Sequence, residues 1–132
     1  MLYFRQSKKH YNQSVSRLRQ HTISVKHALD GVIYTFRTQP NFQVHLVFAI
    51  LAITAGIYFQ VSTAELAVIL FIIGLVIVAE MINTSIESVV DLATDQFHEK
   101  AKIAKDVSAG MVLITAVVAV LVGIVIFLPH LL

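Results

Sequence analysis

Glu80-Met81-Ile82-Asn83-Thr84-Ser85-Ile86-Glu87-Ser88-Val89-Val90-Asp91 begins inside an apolar run and carries three carboxylates and an amide out of it. On a helix turning 100° per residue, Glu80, Asn83, Glu87 and Asp91 fall within about 80° of arc. Glu80 and Glu87 are then roughly 10 Å apart along the axis, with Asp91 roughly 6 Å further on. Met81, Ile82, Ile86, Val89 and Val90 leave the other side apolar. The stretch is therefore a helix with one acidic stripe and one greasy face. Glu80 follows fourteen uncharged residues, Leu66 to Ala79. A carboxylate in hydrocarbon costs about 2.5 kcal/mol or more, so it faces a cavity, a partner or a ligand. Glu87 and Asp91 have a bland reading as solvated residues where the helix leaves the membrane. Glu80 resists it, although a structural pairing with a lysine stays open.

The rest of the chain supplies the membrane. It has 132 residues, 57% of them hydrophobic and 14% charged, with a mean hydropathy of +0.77. That composition indicates one domain of an integral membrane protein. Without cysteine, disulfide and thiolate chemistry are excluded. Residues 1–42 hold seven Lys or Arg against Asp30 alone. Because these basic residues adjoin apolar spans, anionic lipid headgroups rather than nucleic acid are the expected partner. The first apolar run arrives after residue 42, too late for a cleavable signal.

Residues 1–14 read as a polar N-terminal tail, and 15–132 as a single membrane domain. From Val15 a helical period places Leu18, Thr22, Val25, Leu29, Val32, Ile33 and Phe36 on one face. Arg19 and Lys26 flank that face, the pattern of a helix over 15–38 lying in the membrane interface. Gly31 interrupts the stripe and leaves room for another helix. Gln39-Pro40-Asn41 breaks the helix, with Asn41 as a cap for the next one. The first span covers 42–61, about twenty residues and enough for ~30 Å of hydrocarbon. His45 near its start reads as an interfacial residue. After a turn near 62, with Thr63 as cap and Glu65 in the first helical turn, the second span covers 64–91. A polar connection leads to the third span, 106–128, which Pro129 ends. Lys and Arg gather in the N-terminal segment and in 92–105, so those parts are expected in the cytoplasm. The fold class is all-α integral membrane: an amphipathic interfacial helix plus three transmembrane helices, in an oligomeric bundle.

The acidic stripe then sits at the cytoplasmic mouth, with Lys105-Asp106 opening span three. Carboxylates with a lysine suit a magnesium-bound nucleotide: hard oxygens hold the metal and lysine offsets phosphate charge. A deeper carboxylate suits a general base acting on a hydroxyl whose lipid tail stays in the membrane. No P-loop and no soluble-kinase signature is present. A small oligomeric channel or proton path lined by Glu80 and Glu87 is the rival reading. It gives no role to Lys105-Asp106.

Glu80-x-x-Asn83-Thr84-Ser85-x-Glu87-x-x-x-Asp91, followed by His98 and Ala104-Lys105-Asp106-x-x-Ala109-Gly110, resembles the signature of the prokaryotic diacylglycerol kinases, small membrane lipid kinases unrelated to soluble ones. The resemblance runs from about Gly31 to the end of span three. It implies a homotrimer with active sites shared between chains in a bacterial cytoplasmic membrane. The implied reaction is ATP-dependent phosphorylation of a lipid alcohol with Mg²⁺. By the same resemblance Glu80 corresponds to the general base, Asn83 to an amide beside the reacting groups, and Glu87 to a magnesium ligand. Asp91, Gln96, His98, Lys105 and Asp106 correspond to the nucleotide side, and Asn41, Phe42 and His45 to the lipid entry region. Gln39 stands where many members have a second metal-binding glutamate, so an uncharged amide oxygen is the ligand expected there. His27 stands where some members have an aromatic residue. The acceptor is diacylglycerol in some members and undecaprenol in others, and Asn41-Phe42-x-Val44-His45 looks closer to the second group.

Overall fold

The computed structural model describes residues 24–132. Expectations for the tail 1–14, and for Val15, Leu18, Arg19 and Thr22 of the surface helix, lie outside the described residues. Among the described residues there are four helices and no strand: α1 over 24–38, α2 over Pro40–Tyr58, α3 over Thr63–Ala93 and α4 over Glu99–Leu131. Thr35–Leu132 forms one compact unit, separate from the residues before it. In the 24–34 part of α1, Val25, Leu29, Val32 and Ile33 all stay exposed, as an interfacial helix requires. His27 and Asp30 face each other one turn apart at 3.9 Å.

Pro40 begins α2 rather than preceding it. Its fixed φ suits the first helical turn and its missing donor costs nothing there. Gln39 is the extended residue before the helix and Asn41 caps nothing. At the far end Phe59 closes the helix and Gln60 takes a left-handed conformation, φ 55°. The Gln60 N–H donates to Ile57 O at 3.2 Å and Val61 N–H to Gly56 O at 3.1 Å, the paired bonds of a Schellman stop. Close approach occurs at Gly56: a Cβ there would lie 3.4 Å from Val61 Cγ2 and 3.5 Å from Ile69 Cδ1, whereas Gly31 has nothing within 4 Å. A side chain other than glycine in the left-handed region costs about 1 kcal/mol. Gln60→Gly is therefore expected to raise thermal stability in detergent by about that amount; an unchanged or lower melting temperature would contradict it.

Ser62, not Thr63, caps α3. Its Oγ accepts from the Glu65 N–H at 3.3 Å while Glu65 Oε2 accepts from the Ser62 N–H at 2.8 Å, a reciprocal capping box. α4 starts at Glu99, so Lys100, Lys102 and Lys105 ride on helix rather than on a loop, and it continues through Pro129 to Leu131. His98 forms the cap, its Nδ1 accepting from the Lys100 N–H at 3.2 Å.

All three of α2, α3 and α4 are long and apolar enough to cross a membrane. α3 packs against both α2 and α4 and so stands between them. α2 and α4 meet near the Ser62 end, where the Phe59 ring lies 6.1 Å from Phe127 and 6.0 Å from His130. The interior is inverted relative to a soluble domain. Large apolar residues such as Phe48, Phe71 and Val125 are exposed, while Glu80, Asn83, Thr84 and Ser108 are buried. Lipid or other subunits are the apolar solvent for the outer surface, and the chain spends its burial on polar groups that need partners.

Candidate active site

α3 has 31 residues, roughly 46 Å at 1.5 Å per residue, and so exceeds a ~30 Å hydrocarbon core. A hydrocarbon core that began at Thr63 would contain Glu80, roughly 26 Å along, and would leave Glu87 and Asp91, roughly 36 and 42 Å along, beyond it.

The hydroxyls of the stretch are spent locally. Thr84 Oγ1 donates to Glu80 O, Ser85 Oγ to Met81 O and Ser88 Oγ to Thr84 O, each at 2.9 Å. That leaves Glu80, Asn83 and Glu87 to reach other elements. Asn83 Nδ2 donates to Glu87 Oε1 at 3.0 Å, and Ser108 Oγ of α4 donates to Asn83 Oδ1 at 2.7 Å. The carboxylate can only accept, which fixes the orientation of the Asn83 amide. Gln39 Nε2, from the residue before α2, lies 3.4 Å from Glu87 Oε2. One chain of polar contacts thus runs from Gln39 through Glu87 and Asn83 to Ser108, tying three elements together.

Glu80 stands one turn deeper. It is 2% exposed, its Oε1 makes no hydrogen bond among the described residues, and His45 Nε2 of α2 lies 3.3 Å from that oxygen. His45 also lines an apolar cavity of about 340 Å³ bounded by Phe48, Ala52, Ile72, Ala119 and Phe127. This cavity lies in the wedge between α2 and α4, over α3, and the rings at the Ser62 end close the wedge.

Beyond Glu87 a second cavity, about 640 Å³, is lined by Asp91, Gln96, His98, Lys102, Lys105 and Asp106. Lys105 pairs with Asp91 and Lys102 with Asp106, all four on the exposed or half-exposed surface. Such pairs are worth about 0–1 kcal/mol, so the lysines can exchange a carboxylate for a phosphate at little cost.

The residues singled out from sequence thus fall into two adjoining groups: Gln39, His45, Glu80, Asn83 and Glu87 inside, and Asp91, Gln96, His98, Lys105 and Asp106 at the mouth. Two are placed otherwise. Phe42 is 2% exposed, a large apolar side chain buried at the start of α2. Asn41 is exposed and reaches neither group. Ser108 was missed. It is fully buried and fixes Asn83, and its signal was only its place one turn after Lys105, where α4 passes from charged to apolar residues.

Among the described residues no three His, Cys, Asp or Glu gather as a metal cage. One carboxylate with an amide beside it nevertheless fits magnesium, which binds through one or two protein oxygens and takes the rest from water and substrate phosphates.

Residues 26–127 match the sequence profile of the family described as prokaryotic diacylglycerol kinase. The chain belongs to that family. It is 44% identical over 111 residues to a Synechocystis protein named diacylglycerol kinase, covering 83% of this chain and 63% of that one. The chain thus spans less than two thirds of the length of that relative. A Bacillus subtilis protein named undecaprenol kinase is 40% identical over 125 residues, covering 95% of this chain and 98% of its own. An Escherichia coli diacylglycerol kinase is 30% identical over 84 residues, 64% of this chain and 69% of its own. A member of that family with three helices able to cross a membrane, the protein is a bacterial membrane protein.

Proposed function

We propose that this protein transfers the γ-phosphoryl group of ATP to the hydroxyl of a membrane lipid alcohol at the cytoplasmic face of the bacterial inner membrane, with undecaprenol as acceptor. One observation carries the reading: a buried carboxylate, Glu80, has an oxygen without a hydrogen-bond partner and adjoins His45, which lines an apolar groove. A lipid tail in that groove brings its hydroxyl to Glu80, while a nucleotide in the outer cavity presents its phosphates near Glu87.

Glu80 accepts the hydroxyl proton as the oxygen attacks in line. Asn83, held by Ser108 and Glu87, keeps a polar wall beside the reacting atoms. Lys105 leaves Asp91 to meet phosphate charge, and Asp106, Gln96 and His98 border the sugar and base. Glu87 and Gln39 would hold magnesium, which neutralises charge developing on the nucleotide oxygens when bound. The basic residues near α1 and on the first turns of α4 support a cytoplasmic site. A homotrimer with sites shared between chains accords with the broad apolar surface left exposed on one chain.

Undecaprenol is favoured because the relative named for it matches nearly end to end. Diacylglycerol is the second reading, on the higher identity of the Synechocystis relative. Radiolabelled ATP, detergent-solubilised protein and each lipid in turn decide the matter. Label entering undecaprenol in preference is expected; label in diacylglycerol alone would reverse the assignment, and no labelled lipid would remove the activity.

Gln39 offers a further test. Replacing it with glutamate adds a charge beside Glu87, and the Mg²⁺ concentration needed for half-maximal activity is expected to fall. An unchanged magnesium titration would argue against coordination at this position.

A further inference from the structure

His45 is the donor that the structure places against Glu80 Oε1. Asn83 is committed to Glu87 and accepts from Ser108, and the Thr84 hydroxyl serves the Glu80 main-chain carbonyl. Lys102 and Lys105 are on Asp106 and Asp91. A buried acceptor left unmet costs about 1–3 kcal/mol, and Glu80 Oε1 is such an acceptor. His45 Nε2 is 3.3 Å away across the α2–α3 contact, its side chain 20% exposed. The ring is within reach but not aligned, and rotation about its terminal torsion, which is soft, completes the bond.

We infer that His45 is a positioning residue for Glu80: its Nε2–H holds Oε1 and turns the other carboxylate oxygen toward the acceptor hydroxyl. The inference rests on the reading of Glu80 as the base. In the step, the hydroxyl proton passes to Oε2 of Glu80. The lipid oxygen–phosphorus bond forms as the bond from the γ-phosphorus to the ADP oxygen breaks. The imidazole keeps its proton throughout. It acts by orientation, in the way hydrogen bonds behind a ligand or base fix its geometry.

The experiment compares His45→Leu, His45→Gln and His45→Asn in the full-length protein with Mg-ATP and whichever lipid the wild type phosphorylates. Leu is expected to lower kcat roughly 10–100-fold, with KM for lipid and for ATP nearly unchanged. Gln, whose amide N–H has similar reach, restores most of kcat, and Asn, too short, does not. Should Leu fail to assemble, the Gln–Asn contrast reads the same effect between two polar residues. Wild-type kcat in the Leu or Asn variant overturns the inference. So does a raised lipid KM at unchanged kcat, which makes His45 a lipid contact. These outcomes leave the kinase reading intact, whereas a wild-type protein that phosphorylates no lipid sinks both.

Discussion

Glu80→Gln is expected to lower kcat about 1,000-fold while leaving Mg-ATP binding within a factor of about two, since a general base contributes about 10²–10⁴ to rate. The substitution keeps the shape of the side chain and removes its ability to take a proton. Glu80 makes no side-chain hydrogen bond to the Gln39–Glu87–Asn83–Ser108 chain, so that chain, on which nucleotide and metal would depend, is untouched. Single-turnover phosphorylation measured beside equilibrium binding of nucleotide separates the two effects. A kcat within tenfold of wild type would show that the proton leaves by another route.

Glu87→Gln has the opposite profile. The amide oxygen can still accept from Asn83 Nδ2, so the packing of α3 against α4 persists, while the charge is lost and the amide nitrogen now faces Gln39 Nε2 in place of an acceptor. Hydrogen bonds to charged groups are worth about 1.5–3 kcal/mol, and about 1.4 kcal/mol is tenfold in an equilibrium constant. Affinity for Mg-ATP is therefore expected to fall roughly 10–100-fold, with partial recovery of activity at high magnesium. Isothermal titration at two magnesium concentrations measures it. Unchanged affinity would move the metal site away from Glu87. The two glutamates stand two turns apart on one helix, so this contrast tests whether the stripe is divided into a chemical end and a binding end.

Hydropathy alone was enough for the three spans, because crossing a bilayer demands about twenty apolar residues whatever their neighbours. The helical period was enough for the stripe, because Glu80, Asn83, Glu87 and Asp91 share a face by geometry internal to one helix. Helix ends were less legible. Where α2 and α3 begin depends on local backbone and cap geometry, and adjacent residues such as Asn41 and Thr63 have nearly equal claims in the sequence. The burial of Phe42 was not legible either, because an aromatic residue near a membrane interface and a buried anchor have the same sequence signature.

Alone, the amino-acid order determined that this is a three-span membrane protein with acidic residues at one end of its second span and a basic cluster near them. Only the tertiary structure decided that Gln39 meets Glu87, that Ser108 holds Asn83, and that His45 stands against Glu80. Each of these contacts joins residues at least 25 positions apart. Periodicity states which residues share a face of one helix. Which faces meet, and at what height, is set by how the helices close-pack and how the two turns fix their register.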